Sequence, residues 1–513
     1  MNTNVFSTTT TTTNAAGGAA VEMPPEHALA QYAMTGTFNN TYYANAEAQT
    51  AKVLEMCCLV PTEFTAKLAV YSRTKGHMKD MPAFLLAFLA QHDTQNFAKV
   101  FDTVVDNGKM LRNFCQIIRS GAVGRKSFGS RPKKMINAWL NRRSPMGLLR
   151  ASVGSNPTLG DVIKMTHPKA STKEHQSMYA YFIGKPFDLE VLPKEVQAYI
   201  QLKATGNRRG RDIPDVPFNL LTSLDLDQLA WSQIAEKAGW QMTRMNLNTF
   251  HRHGVFKWPG MADLVASKLR DKGLVQTSRV FPYQVLSAIQ NSHEEIPPVV
   301  KEALSSALEI SLENVPNLGC KMWVLPDVSA SMNSPVTGHR RGSSSSVSCV
   351  DVAGLVASAF LKTNPLTTIL PFDTDVRDDI VVNRFNTVVE NARIISEARG
   401  GGTDCSSPMK YLNRGHKTGD LIVYVSDNES WVGNDWNRRY ATSMAEEWEI
   451  YKRRNPKAKL VCIDVQPNNH SQVGTGNDVL NIGGFSDHVF TMIANFANGV
   501  GPDEWVNEIN SLW

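Results

Sequence analysis

Cysteine is scarce in this 513-residue chain: there are seven, Cys57, Cys58, Cys115, Cys320, Cys349, Cys405 and Cys462. The number is odd and no C-x-x-C pair occurs, so neither a disulfide framework nor a structural zinc site is expected. Long apolar runs are missing too, and none reaches the length needed to cross a bilayer. The opening MNTNVFSTTTTTTN has neither the basic start nor the apolar middle of a secretory signal. The expectation is a cytoplasmic protein with no membrane partner. Catalytic signatures are equally thin. GAVGRKS (121–127) fails as a phosphate loop because Arg125 separates Gly124 from Lys126, and the FCQIIRS before it reads as helix, not strand. No H-E-x-x-H, G-x-S-x-G or paired-carboxylate motif stands out. His251 and His253 of HRHG read as solvated loop residues rather than metal ligands.

What is present divides the chain. At 42% apolar and 20% charged residues, the composition is globular. The length calls for two or more domains. Residues 1–25, rich in Thr, Gly and Ala, read as a disordered tail. From 26 to 315 the chain reads as serial amphipathic helices: AKVLEMCCLV, PAFLLAFLA, NFAKVFDTVVD and KMLRNFCQIIRS space apolar residues by three and four. Short breakers separate them. Stacked helix pairs, as in an α-solenoid, are the expected architecture. From 316 to 513 the pattern changes. KMWVLPD, TTILPFD, LIVYVSD and KLVCIDV are short branched or aromatic runs. They alternate with helical stretches such as CVDVAGLVASAFLKT, TVVENARIISEA and TSMAEEWEIYKRR. That alternation predicts a doubly wound, mostly parallel sheet. The fold class is therefore an all-α region followed by an α/β domain.

Two constellations carry chemistry. The first is in the sheet region, where ligands bind at the carboxyl ends of strands. WVLPDVSASMN places Asp327, Ser329 and Ser331 at alternate positions after an apolar run. RGGGTDCSSPM (399–409) adds Thr403 after a glycine turn, and LIVYVSD ends in Asp427. Two carboxylates and three hydroxyls make a hard-oxygen set suited to Mg2+ or a similar divalent cation, with room for water. The plain alternative is a Ser-rich turn after a strand.

The second is charge. Between Arg119 and Lys173 stand twelve Lys or Arg and one acid, Asp161, so the segment is +11 and the remainder of a +5 chain is −6. Such concentration calls for a polyanionic partner, with phosphates the natural match. Arg131, Lys133, Lys134, Arg142, Arg143 and Arg150 lie on or near one helical region. His167 and Lys169 follow. His167 reads equally as an exposed contact or a buried, hydrogen-bonded histidine. Trp139 and Phe128 are interleaved as candidate stacking partners for an unpaired base; the plain alternative is a solvated basic face with Trp139 in the core. The KATGNRRGRD loop (203–212) is a second basic spot.

Asp327-x-Ser329-x-Ser331, Thr403 and Asp427 resemble the metal-ion-dependent adhesion site of von Willebrand factor type A domains. DVSASMN, GGTDCSSPM and SDNESW, with TGTFNNTYY (35–43), GDVIKMTHPK (160–169), LNTFHRHGVF (247–256) and SRVFPYQVLSAI (278–289), are similar to the Ro ribonucleoprotein family. That family joins a TROVE domain to such a module. The resemblance implies a ring of HEAT-like helical repeats that binds structured Y RNA on a basic outer surface, here including Arg150, His167 and Lys169, with Lys133 and Lys134 close by. It implies single-stranded ends of misfolded RNA in the central hole. ASVGSNPT, after Arg150, lacks the Lys/Arg pattern usual there. The expectation is a monomeric, non-catalytic RNA-binding protein for RNA quality control, binding no DNA, with an exoribonuclease or other protein on the type A module. Rival readings are a magnesium-dependent assembly or adhesion module with no RNA role, or a nuclease using Asp327 and Asp427 with Asp404 or Glu429 as base.

Overall fold

The computed structural model describes residues 11–35, 38–41, 44–205, 213–222, 224–278, 280, 282–313, 315–339, 347–398, 400–430, 442–466, 468–484, 487–499, 501 and 504–513. The chain forms two compact units. One gathers residues 1–64, 281–287 and 308–513; the other holds 65–280 and 288–307. No helix among the described residues is long and apolar enough to cross a membrane.

The first unit is built on two sheets. In chain order its strands are β1 (Thr11–Thr13), β2 (Ala19–Glu22), β3 (Met322–Pro326), β4 (Thr367–Ile369), β5 (Leu421–Ser426), β6 (Lys459–Asp464), β7 (His470–Ser471) and β8 (Val479–Gly483). The main sheet runs β4-β3-β5-β6-β8, with every pair parallel. Its strands are apolar on both faces because both faces are covered. Trp323, Leu325, Ile422 and Tyr424 share a core with Trp448 and Tyr451 of the Ser443–Arg454 helix and Met409 and Leu412 of Ser407–Arg414. Alternate residues Val324, Val423 and Val425, on the other face, are fully buried as well. The Cys349–Thr363 helix packs on β3, β4 and β5. It begins with a capping box between Ser348 and Asp351 and is buried along nearly its whole length. The chain reverses its direction of travel across the sheet between β3 and β5, the switch point where such sheets bind ligands.

The N-terminus departs from expectation. Residues 11–22 are ordered: β1 pairs antiparallel with β2, which pairs with β7 through Val21–Ser471 and Glu22–His470. Threonine suits a strand, and backbone pairing needs few core formers. Ala20, Val21 and Met23 suffice as buried anchors. The helix domain also starts later than 26. The Pro25–Thr35 helix belongs with the sheet: His27 Nε2 lies 2.7 Å from Asn481 O and Gln31 Nε2 donates to Asp464 Oδ2 at 2.5 Å. At its other end the helical unit runs to 307 rather than 315.

The second unit is helical. Asp80–His92 packs on both Thr94–Val104 and Gly108–Ser120, and Ser130–Asn141 packs on Thr94–Val104 and Leu159–Thr166. Local capping sets the boundaries. Asp93 accepts from Gln95 and Asn96, Asn107 from Lys109 and Met110, and Gly121 closes its helix at φ +84°. The expected helix before GAVGRKS is therefore present. Residues 206–212 of the KATGNRRGRD loop lie outside the described residues.

Candidate metal centre and nucleic-acid interface

Asp327 and Asp427 follow the ends of β3 and β5, neighbours in the sheet. Asp327 is fully buried; its Oδ1 accepts Ser329 N–H at 2.8 Å and its Oδ2 accepts Ser426 Oγ–H at 2.6 Å. Ser329 Oγ and Ser331 Oγ are 3.3 Å apart. Burial pushes Asp427 up to about 8, with the Asp327 charge adding to it. Burial likewise raises Asp327 to about 6, and Asp373 contributes. Among the described residues, no Lys or Arg pairs with either carboxylate.

The glycine loop closes on this pair. Ala330 N–H donates to Gly401 O at 3.0 Å. A Cβ on Gly400 would stand 2.4 Å from Val328 O and 2.8 Å from Asp373 Cβ, so only glycine fits. Thr403 is buried, and its carbonyl receives Ser430 Oγ–H at 3.5 Å. The loops carrying all five predicted oxygen ligands thus converge. The chemistry fits a divalent cation: buried carboxylates repel without a counter-charge, and every donor is a hard oxygen.

Three residues here, two of them acids, were not singled out in the sequence. Asp373 ends TTILPFD and is held by Arg377 at 3.1 Å; the apolar run ending in Asp was the available signal. Ser426, the last residue of LIVYVS, braces Asp327. Asp464, at the end of β6, is buried and raised well above the carboxylate range by that burial. The two proposed bases are occupied. Asp404 accepts from Ser406 N–H at 2.9 Å and pairs with Lys410 at 3.1 Å. Glu429 lies 3.2 Å from His470 and accepts Ala16 N–H at 3.2 Å. Beside Asp404 opens a groove of about 700 Å³ lined by Asp375, Ser407, Lys410, Arg414 and Lys417. Ser407 Oγ is buried there without a hydrogen-bond partner among the described residues.

In the helical unit, the Ser130–Asn141 helix sorts its residues by face. Pro132, Ile136, Trp139 and Leu140 are buried. Arg131, Lys134, Ala138 and Arg142 form an exposed stripe at spacings of three and four, and Lys133, Asn137 and Asn141 flank it, partly exposed. Those asparagines seam the helix to the next loop. Asn137 Nδ2 donates to Thr166 O at 3.2 Å, and Asn141 Nδ2 to Lys169 O at 2.9 Å. Ser171 N–H returns a bond to Asn141 Oδ1 at 3.2 Å. His167 and Lys169 are thereby held beside the C-terminal half of the stripe. His167, at φ +51°, is exposed, which rules out its buried reading. Arg150 is exposed on the following Pro145–Ala151 helix.

Some predicted roles change. Trp139 is 1% exposed and donates Nε1–H to Val105 O at 2.6 Å, and Phe128 is buried. Both belong to the core and offer no ring to a base. Arg143 is half-buried, its guanidinium 4.3 Å over the Trp139 ring. Arg142 pairs with Asp102, both half-exposed. Arg125 holds the carbonyls of Ala90, Ser127 and Phe128.

The parallel sheet with its oxygen-lined switch point is a von Willebrand factor type A module, joined in one chain to a helical unit. Residues 321–497 match the model of the Ro60 vWA domain, so the type A module is similar to that of Ro60. An RNA-binding protein RO60 of Deinococcus radiodurans is 24% identical over 280 residues, 50% of this chain and 48% of that one. The match thus spans about half the length of that relative. The crystal structure of the Deinococcus radiodurans Ro (RSR) protein has the same fold. It covers 93% of this chain and 100% of its own at a TM-score of 0.63, with 16% identity.

Proposed function

We propose that the chain is a non-catalytic RNA-binding protein whose helical unit grips phosphates. One observation carries this: Arg131, Lys134 and Arg142 share an exposed helix stripe, with His167 and Lys169 bonded alongside. Cations so placed release counterions from a phosphate backbone and bind in a salt-dependent way. The name of the Deinococcus relative supports the same partner. The finer reading is that structured, Y-like RNA lies on this face and that single-stranded ends of misfolded RNA enter a ring cavity. The protein then acts in cytoplasmic RNA quality control, beside an exoribonuclease. Asp327, Ser329, Ser331, Thr403 and Asp427 would hold Mg2+, which supplies an open coordination position for a partner's carboxylate. The Lys410, Arg414 and Lys417 side of the neighbouring groove suits further acidic residues of that partner.

Filter binding of a structured RNA across a salt series tests the reading. Log affinity should fall linearly with log salt, by about 0.7 to 0.9 per neutralised phosphate. A flat dependence, or equal competition by an acidic polypeptide, favours the assembly module without RNA. The nuclease reading is disfavoured by the engagement of Asp404 and Glu429. Labelled RNA incubated with protein and magnesium should stay intact; cleavage abolished by Asp427→Asn would reverse that conclusion.

A further inference from the structure

One cluster in the helical unit has a donor chemistry unlike the oxygen-lined centre. His251, on the Leu247–Arg252 helix, meets His293 and Glu295 of the loop that precedes the Pro298–Ser311 helix. One ligand atom from each lies within 4.8 Å of the others. His251 Nε2 is 3.1 Å from Glu295 Oε2, and the two imidazoles stack with centroids 4.6 Å apart at 20°. His253, the nearer histidine in sequence, takes no part; it stacks on Trp231 at 4.2 Å.

The two segments are clamped from below. Asn248, one turn before His251 on the same helix, donates Nδ2–H to Asn291 O at 2.8 Å and accepts His293 N–H at 2.9 Å. His293 Nδ1 accepts the Glu295 amide N–H at 3.2 Å, which fixes the imidazole beside Glu295. An ion pair with Glu295 needs only one histidine. The second imidazole, on a residue whose backbone N–H is held by Asn248, is the surplus that a metal explains. Zinc takes nitrogen and oxygen ligands at about 2.0–2.2 Å. Closing from 4.8 Å needs only side-chain rotation, which the exposure of His293 and Glu295 permits. Two imidazoles and one carboxylate suit Zn2+ better than Mg2+ and leave the fourth position to water.

We propose that His251, His293 and Glu295 form a transition-metal site, filled by Zn2+, that staples the helix to the loop. The site is independent of RNA binding and of the oxygen-lined centre. The test titrates Co2+ into the full chain at saturating Mg2+, reads the visible d–d absorption, and displaces it with Zn2+. One equivalent should bind. His251→Ala and His293→Ala should each abolish the spectrum, and Asn248→Ala should weaken binding about tenfold. Asp427→Asn should leave it unchanged. Glu295→Gln, at an exposed position, guards against a folding defect; circular dichroism verifies each variant. Absence of a spectrum at millimolar Co2+, a spectrum that survives both histidine variants, or its loss in Asp427→Asn would overturn the proposal.

Discussion

Asp327 and Asp427 cap adjacent parallel strands, both fully buried and both held above the ordinary carboxylate range. The folded chain therefore binds protons there that the unfolded chain releases. A group raised on folding contributes stability that is present below its unfolded value, about 4, and lost as pH rises through the folded values, about 6 and about 8. The metal-free protein should lose stability between pH 4 and pH 8, and Mg2+ should offset part of that loss. At a hundredfold excess over Kd the gain is about 2.7 kcal/mol at pH 8 and shrinks toward pH 5 as protons compete. Thermal shift with and without Mg2+ at both pH values measures it; an equal shift at both contradicts the assignment.

Gly400→Ala should disrupt the metal loops. The added methyl meets the Val328 carbonyl at 2.4 Å, and overpacking of this kind costs about 1–3 kcal/mol. Urea unfolding and Mg2+ titration of the same variant should both register it.

Arg131→Glu with Lys134→Glu should weaken RNA binding and lower the salt slope by about 1.4 to 1.8. Stability should change by no more than about 0.5 kcal/mol, because both side chains are exposed. Filter binding and thermal melts separate the two effects.

Asp102→Asn should release Arg142 from its partner. An exposed pair of this kind contributes about 0–1 kcal/mol, so melting should barely move while RNA affinity holds or rises. A loss of affinity would mean that the pair positions the arginine.

Trp139→Ala should act on folding. Removing a buried indole costs about 3–5 kcal/mol, seen in urea titration. A loss of RNA affinity at full stability would restore Trp139 as a stacking partner.

The sheet was readable because its strands are buried on both faces and spell out apolar runs. β3, β5 and β6 fall where the sequence put them, and the Cys349–Thr363 helix matches CVDVAGLVASAFLKT end to end. The strand β8 was missed because Asn481 interrupts its run; that side chain is buried, donating to Val473 O at 3.0 Å. The strands β1 and β2 were missed because pairing with β7 depends on residues more than 400 positions away. The candidate metal ligands were proposed from spacing, whereas Asp373 needed the fold to bring its loop to Asp327. Charge density located the basic helix, but only packing could assign Trp139 to the core and Arg125 to local carbonyls.

The hairpin of β1 and β2 reaches past its own sheet. Asn14 donates to Ser430 O at 2.6 Å and Ala16 to Glu429 Oε2 at 3.2 Å, directly after Asp427. A fragment cut at residue 316 to isolate the type A module would strip partners from the very loop that follows the candidate ligand Asp427. An affinity tag fused ahead of residue 11 would tug on the same place. Work on the metal chemistry of this protein therefore calls for an untouched amino terminus.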